Sequence, residues 1–374
     1  MFSRVRRVLV TVLVSAVAVT GLGGWAVGER QVPVTGPVPG AAAWRADRVL
    51  GRPLPDPATA SPRDVAAFFA RLSPAERQLL VTRHPLVVGN LDGVPPALRY
   101  RANALAYREH TGRALPPGRR LVAFDPRGRG QFAEVWGDLA HARHVAVLVP
   151  GTDVDLRRHD TAVAMARNLY RRMAQDARRD AERGVGRRAA PASVAVVLWV
   201  GYTTPSGVSL DAATPRLAAA GAPRLHRFLA GLDAVGVPAP AVFCHSYGSV
   251  VCGLAASRLA RAEAADLVLF ASPGTGAATV ADLDTDARVW AAKASSDWIR
   301  VVPHVRLLGL GHGTDPTAPG FGARVVSADR VDGHAGYLAP GSDALANFSA
   351  IARGDLGAVR CAGADPRACT RDLR

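Results

Sequence analysis

The sequence predicts an α/β fold: a mostly parallel central sheet of about eight strands flanked by helices, with a short N-terminal helical extension. Three observations carry this. From Leu121 onward, short apolar runs alternate with amphipathic segments of helical spacing, the pattern of repeated βαβ units. Each run is bounded by turn residues or charge. A chain of 374 residues with 49% hydrophobic and 21% charged residues can also bury a large core, and its composition is far from disordered or collagen-like.

The strands fall, in order, at 121–124, 131–136, 144–149, 194–200, 239–244, 267–271, 288–294 and 323–327. Between them, 160–183 places Ala162, Ala166, Leu169, Tyr170 and Met173 on one helical face, and 222–232 does so with Leu225, Phe228, Leu229 and Leu232. Upstream, Ser61-Pro62 and Ser73-Pro74 each pair an N-cap serine with proline at the first helical position, and Glu76 completes a capping box with Ser73. These signals predict helices over 62–72 and 74–84, ended by the 89–95 loop, and a further helix over 96–110. Before them, seven prolines within 31–62 interrupt any regular structure, so 31–60 reads as a Pro-rich linker or surface wrap.

Residues 1–30 stand apart. Arg4, Arg6 and Arg7 precede the uncharged apolar run 8–27, which reads as an export signal, either a cleaved signal peptide or an N-terminal membrane anchor. Small residues at Ala16, Ala18 and 21–24 offer cleavage sites, and the positive-inside rule places the remainder outside the cytoplasm, secreted or anchored. The division is then 1–30 leader or anchor, 31–60 linker, 61–120 helical extension, 121–350 main domain and 351–374 tail. Four cysteines in two close pairs, Cys244 with Cys252 and Cys361 with Cys369, are compatible with disulfides there, although three pairings and free thiols remain open.

The formal net charge is +15, and Lys293 is the sole lysine among 46 basic residues. Arg157-Arg158, Arg171-Arg172, Arg178-Arg179 and Arg187-Arg188 read as solvated helix faces. No nucleic-acid motif accompanies them, so no nucleic-acid partner is expected.

The chemistry concentrates at 241–253, a short apolar strand passing through Cys244-His245-Ser246-Tyr247-Gly248 into a run of small residues. This is the pattern of a nucleophile elbow, where the serine occupies a strained strand-to-helix turn and the residues two before and two after must be small. Cys244 stands where glycine is usual. A serine hydroxyl needs a base and an orienting acid, which follow it in the chain order Ser, acid, His. Asp297, after the 288–294 strand, is the expected acid, with Asp315 as the alternative. His334, after the last strand, is the expected base. His304 and His312 come too early, and neither belongs to a metal motif, so no metal or cofactor is expected. Oxyanion donors would be the backbone N–H groups of Tyr247 and, in Val149-Pro150-Gly151-Thr152-Asp153, of Thr152.

These residues, with Gly89-Asn90-Leu91-Asp92-Gly93-Val94-Pro95, Phe124-Asp125-Pro126, the 144–151 run, Trp199-Val200-Gly201-Tyr202, Ala271-Ser272-Pro273-Gly274 and Phe321-Gly322-Ala323, resemble an exported, uncharacterised branch of the α/β-hydrolases common in GC-rich bacteria. The likeness runs over about 61–338. It implies an α/β-hydrolase fold and a Ser-His-acid hydrolase but no substrate, and the proline usual after the acid is replaced by Trp298. The expected function is carboxylic ester hydrolysis through an acyl-enzyme at Ser246, on a small-molecule or lipid ester. Peptidase, amidase or acyltransferase chemistry would use the same residues. A non-catalytic binding module of the cell envelope is the alternative of another class. Membrane association, if present, would run through residues 1–30.

Overall fold

The computed structural model describes residues 30–184 and 193–373. The apolar run 8–27, its cleavage sites and Arg187-Arg188 lie outside them. Among the described residues no helix is long and apolar enough to cross a membrane.

Eight strands form one sheet in the order β1-β2-β4-β3-β5-β6-β7-β8. They are β1 (Leu121–Asp125), β2 (Gln131–Gly137), β3 (His144–Val149), β4 (Val194–Val200), β5 (Ala241–His245), β6 (Asp266–Phe270), β7 (Arg288–Ala292) and β8 (Arg324–Val325). β2 is antiparallel to both β1 and β4, and from β4 to β8 every pairing is parallel. The carboxyl ends of β3, β4, β5, β6 and β7 therefore share one rim, which is where loops of an open parallel sheet can build a site.

Side chains along each strand alternate between two cores, as period-two geometry requires. From β5, Phe243 packs with Phe270 and with Phe348 of α10 (Asp343–Ala352), on the face also covered by Leu169 and Met173 of α6 (Asp160–Glu182). Val242 and Cys244 face the other way, onto Leu225 and Phe228 of α8 (Arg216–Ala234) and Val251 of α9 (Gly248–Ala255). The paired arginines of α6 are exposed except Arg172, which bonds Asp176 at 2.7 Å.

A third core lies in the N-terminal helices: α1 (Ala41–Ala46), α2 (Pro62–Ala70), α3 (Pro74–Arg83), α4 (Pro85–Asn90) and α5 (Pro96–Thr111). Ser73 and Glu76 form the reciprocal capping box of α3, and Ser61 caps α2. Gly89 and Asn90 are helical, contrary to the loop expected there, because a Pro-initiated turn continues the chain and Gly89 leaves room for the Asn103 side chain. The 31–60 stretch lies along the body instead of hanging free. Its Trp44 is fully buried, with the indole N–H donating to the Pro55 carbonyl at 2.7 Å. Arginines bind its backbone: Arg127 donates to the Thr35 and Gly36 carbonyls, Arg224 to Val34 and Arg227 to Ala60. Disulfides join Cys244 to Cys252 and Cys361 to Cys369.

Candidate active site

At the end of β5 the chain turns sharply. Ser246 has φ 54°, a left-handed conformation uncommon for a residue with a side chain, and its N–H donates to the Phe270 carbonyl at 3.0 Å. The turn brings α9 against β3 so closely that a Cβ on Gly248 would lie 2.3 Å from the Val149 carbonyl oxygen. Cys244 fits where glycine is usual because its sulfur leaves the turn to bond Cys252 in α9, joining the strand before the serine to the helix after it.

Three of the expected residues meet here although they are 37 and 88 positions apart in sequence. Ser246 Oγ lies 2.9 Å from His334 Nε2, and His334 Nδ1 lies 2.8 Å from Asp297 Oδ1. An ionised carboxylate only accepts, so Nδ1 carries the proton and Nε2 is left to accept from the serine hydroxyl. Asp297 also accepts from the Ile299 N–H at 2.9 Å and from the Tyr337 hydroxyl at 2.8 Å. Burial pushes its carboxyl up, but the His334 bond, the Ile299 N–H and the Tyr337 hydroxyl outweigh it and hold the group below the usual carboxylate range. Asp315 makes no hydrogen bond to His334; it pairs with Lys293 and lies 3.8 Å from His304.

The His334 ring is held between two aromatic rings, Trp298 at 4.6 Å and His245 at 4.8 Å between centroids. His245 Nε2–H donates to the His334 carbonyl at 2.9 Å. Its own basicity is lowered to about 3, first by burial and then by the adjacent His334, so it sits neutral at physiological pH. The sequence assigns no function to His245 or Tyr337, and it marks Trp298 only as the replacement for the usual proline. Beyond that, their only signal was proximity to the predicted residues, because no spacing rule links them.

On the other side of Ser246 lies the 149–153 loop. A Cβ on Gly151 would stand 2.6 Å from Ser246 Cβ and 3.0 Å from its Oγ. Among the described residues, neither the Tyr247 nor the Thr152 N–H donates to a protein group, so both remain free as donors beside the serine. Tyr202 anchors the loop by donating to the Pro150 carbonyl at 2.7 Å. The Gly151→Ala variant is expected to displace Ser246 and lower kcat/KM by roughly 100-fold, given how steeply reactivity falls with misplacement. Steady-state kinetics at unchanged thermal midpoint would show this; an unaltered kcat/KM would mean the loop yields freely.

A cavity of about 480 Å³ lies on the same rim but nearer β1 and β2, between the 35–38 segment, Gln131, Trp199 and Arg224. Ser246 is not among its walls; the residues around the elbow are Trp298, packed on the His334 ring, His312, packed on Tyr247, and Thr214 at the end of α7 (Leu210–Ala213), whose carbonyl accepts from the Tyr247 hydroxyl.

A family model described as alpha/beta hydrolase matches residues 125–307. Two uncharacterized proteins from strains of Mycobacterium tuberculosis are 29% identical over 405 residues, covering 84% of this chain and 59% of the relative. The chain thus spans about three fifths of those relatives. Among solved structures, esterase PE8 is similar at 18% identity and TM-score 0.38, covering 59% of this chain and 96% of that one. The hyperthermophilic esterase from Pyrobaculum calidifontis is similar at 15% identity and TM-score 0.38, covering 76% and 98%. With the eight-stranded sheet, the strand-turn-helix at Ser246 and a family model that matches just under half of the residues, the chain has the α/β-hydrolase fold.

Proposed function

We propose that the chain is a serine esterase in which Ser246, His334 and Asp297 act as nucleophile, base and orienting acid. The observation that carries this reading is the continuous hydrogen-bonded line from Ser246 Oγ through both nitrogens of His334 to Asp297. As Ser246 Oγ attacks the ester carbonyl carbon, His334 Nε2 takes its proton, and the new oxyanion accepts from the Tyr247 and Thr152 N–H groups. Collapse expels the alcohol, protonated by His334, and leaves an acyl-Ser246 ester. Water, deprotonated by His334, then attacks that ester and releases the acid.

Disulfides favour an extracytoplasmic setting, and the apolar run 8–27 would serve as leader or anchor there. The test is labelling with a fluorophosphonate, followed by a p-nitrophenyl ester series against the matching anilides. One label per chain at Ser246, with esters preferred, is the expected result. A folded chain that takes no label sinks the enzyme reading in favour of a binding module.

A further inference from the structure

Large apolar side chains normally reach solvent singly; here most of those exposed among the described residues fall in two segments, 208–210 and 298–310. Trp298 is 47% exposed, Val301 81%, Leu308 95% and, in the other segment, Val208 89%, with Leu307 and Leu310 also open to solvent. Leu307 and Leu310 exchange backbone hydrogen bonds of 3.0 and 2.9 Å, which makes a two-residue turn whose tip is Leu308-Gly309. Leu308 has φ 51°, a conformation for which glycine or asparagine is the ordinary choice. A leucine held there, pointing into water, has no packing role within the chain.

The two segments are joined to each other and to the residues around Ser246. The Gly311 N–H donates to the Ala213 carbonyl at 2.8 Å, and the Tyr247 hydroxyl donates to Thr214 at 2.7 Å. Trp298 lies on the His334 ring. Arg300 and Arg306 are exposed within the same segment, so the rim combines apolar tips with positive charge.

An independent observation concerns the beginning of the chain. The Gln31 N–H donates to Asp211 Oδ2 at 2.8 Å and its carbonyl accepts from Arg216 at 2.6 Å, which fixes residue 31 beside Val208 and Leu210. The uncharged apolar run ends at Val27, four residues earlier, at most roughly 14 Å of chain. A bilayer holding that run would lie against the rim that carries Ser246, and exposed Arg30 adds another cation there.

We infer that the mouth around Ser246 docks on an anionic lipid bilayer, with the Leu307–Leu310 turn and Val301 entering the headgroup boundary, and that the ester substrate is drawn from that surface. The docking follows from the exposed rim and the position of Gln31; only the substrate clause rests on the esterase reading.

The test uses the full chain in vesicles of phosphatidylglycerol and phosphatidylcholine, with an environment-sensitive dye on Leu308→Cys and, for comparison, on Ser257→Cys. Ser257 is exposed beyond α9, toward the amino ends of the strands. The dye at 308 should shift to the blue and be quenched by brominated lipid, while that at 257 reports water. Equal, water-like signals at both sites would overturn the docking. So would a blue-shifted dye at 308 that brominated lipid does not quench, because a second copy of the chain would then cover the turn. The same measurement in Ser246→Ala separates docking from chemistry. With the enzyme active, Leu307→Asp/Leu308→Asp should lower hydrolysis of a vesicle-borne ester roughly tenfold and leave a water-soluble ester untouched. Equal loss on both, or on neither, refutes the substrate clause.

Discussion

Replacing Asp297 by Asn is expected to lower kcat/KM for an ester substrate by roughly four orders of magnitude while the protein stays folded. The carboxylate serves three donors at once: His334 Nδ1, the Ile299 N–H and the Tyr337 hydroxyl. An amide has one accepting atom and one donating atom. If its NH₂ faces His334, the ring takes the other tautomer and Nε2 can no longer accept from Ser246. If its oxygen faces His334, the tautomer survives but the negative charge that would stabilise the imidazolium is gone. Tyr337→Phe removes one of the three donors and preserves both tautomer and charge, so a loss of only about tenfold is expected from one hydrogen bond. Comparing pre-steady-state acylation in the two variants checks the assignment. Near-normal acylation in Asp297→Asn would remove Asp297 from the role given to it.

The second large effect concerns pH. His245 is buried, and its basicity falls from 6.5 to about 3 in the folded chain. Between those limits the unfolded chain binds a proton that the folded chain refuses. The contribution is therefore absent as a penalty above pH 6.5, and stability declines as pH falls from 6.5 toward 3, by about 1.4 kcal/mol per unit. At pH 4.5 the loss would be roughly 2 to 3 kcal/mol, a substantial part of an ordinary domain's stability. His245→Gln keeps a donor for the His334 carbonyl and has nothing to titrate. Its denaturant midpoint should accordingly be flatter than the wild-type midpoint from pH 6.5 to 4.5, before the carboxylates protonate. Parallel curves for the two proteins would show that His245 is protonated without difficulty in the native state.

The central sheet was legible because its strands are nearly continuous apolar runs, and β3 and β4 fall at the residues expected from that pattern. Shortfalls have local causes. The last strand narrows to Arg324–Val325: Val326 still donates to Ala291 of β7, but there the chain turns to the tail, with Val326 bridging Cys361 and the Ser327 N–H donating to the Arg360 carbonyl. Helix α8 begins six residues before the expected start, through Leu217 and a run of alanines that carries no amphipathic signal, and Pro223 lies inside it. Helix α10 runs across residue 350 to Ala352, started by the Ser342 cap and held to the core by Leu345, Phe348 and Ile351 at helical spacing. Chain order pointed to Ser246, Asp297 and His334 because a triad on this fold has a fixed sequence of elements. The groups that surround them, Trp298 and His245 on the His334 ring and Tyr337 on Asp297, meet through the folded path alone.

The Cys244–Cys252 bridge has a further consequence. Both residues are fully buried beneath the elbow, so reductant in the surrounding medium reaches neither sulfur while the chain is folded. The bond must form before the β5–α9 unit closes. Two populations of the same sequence, one folded under oxidising and one under reducing conditions, would then interconvert only through opening of that unit, each keeping until then the thiol state of the place where it folded.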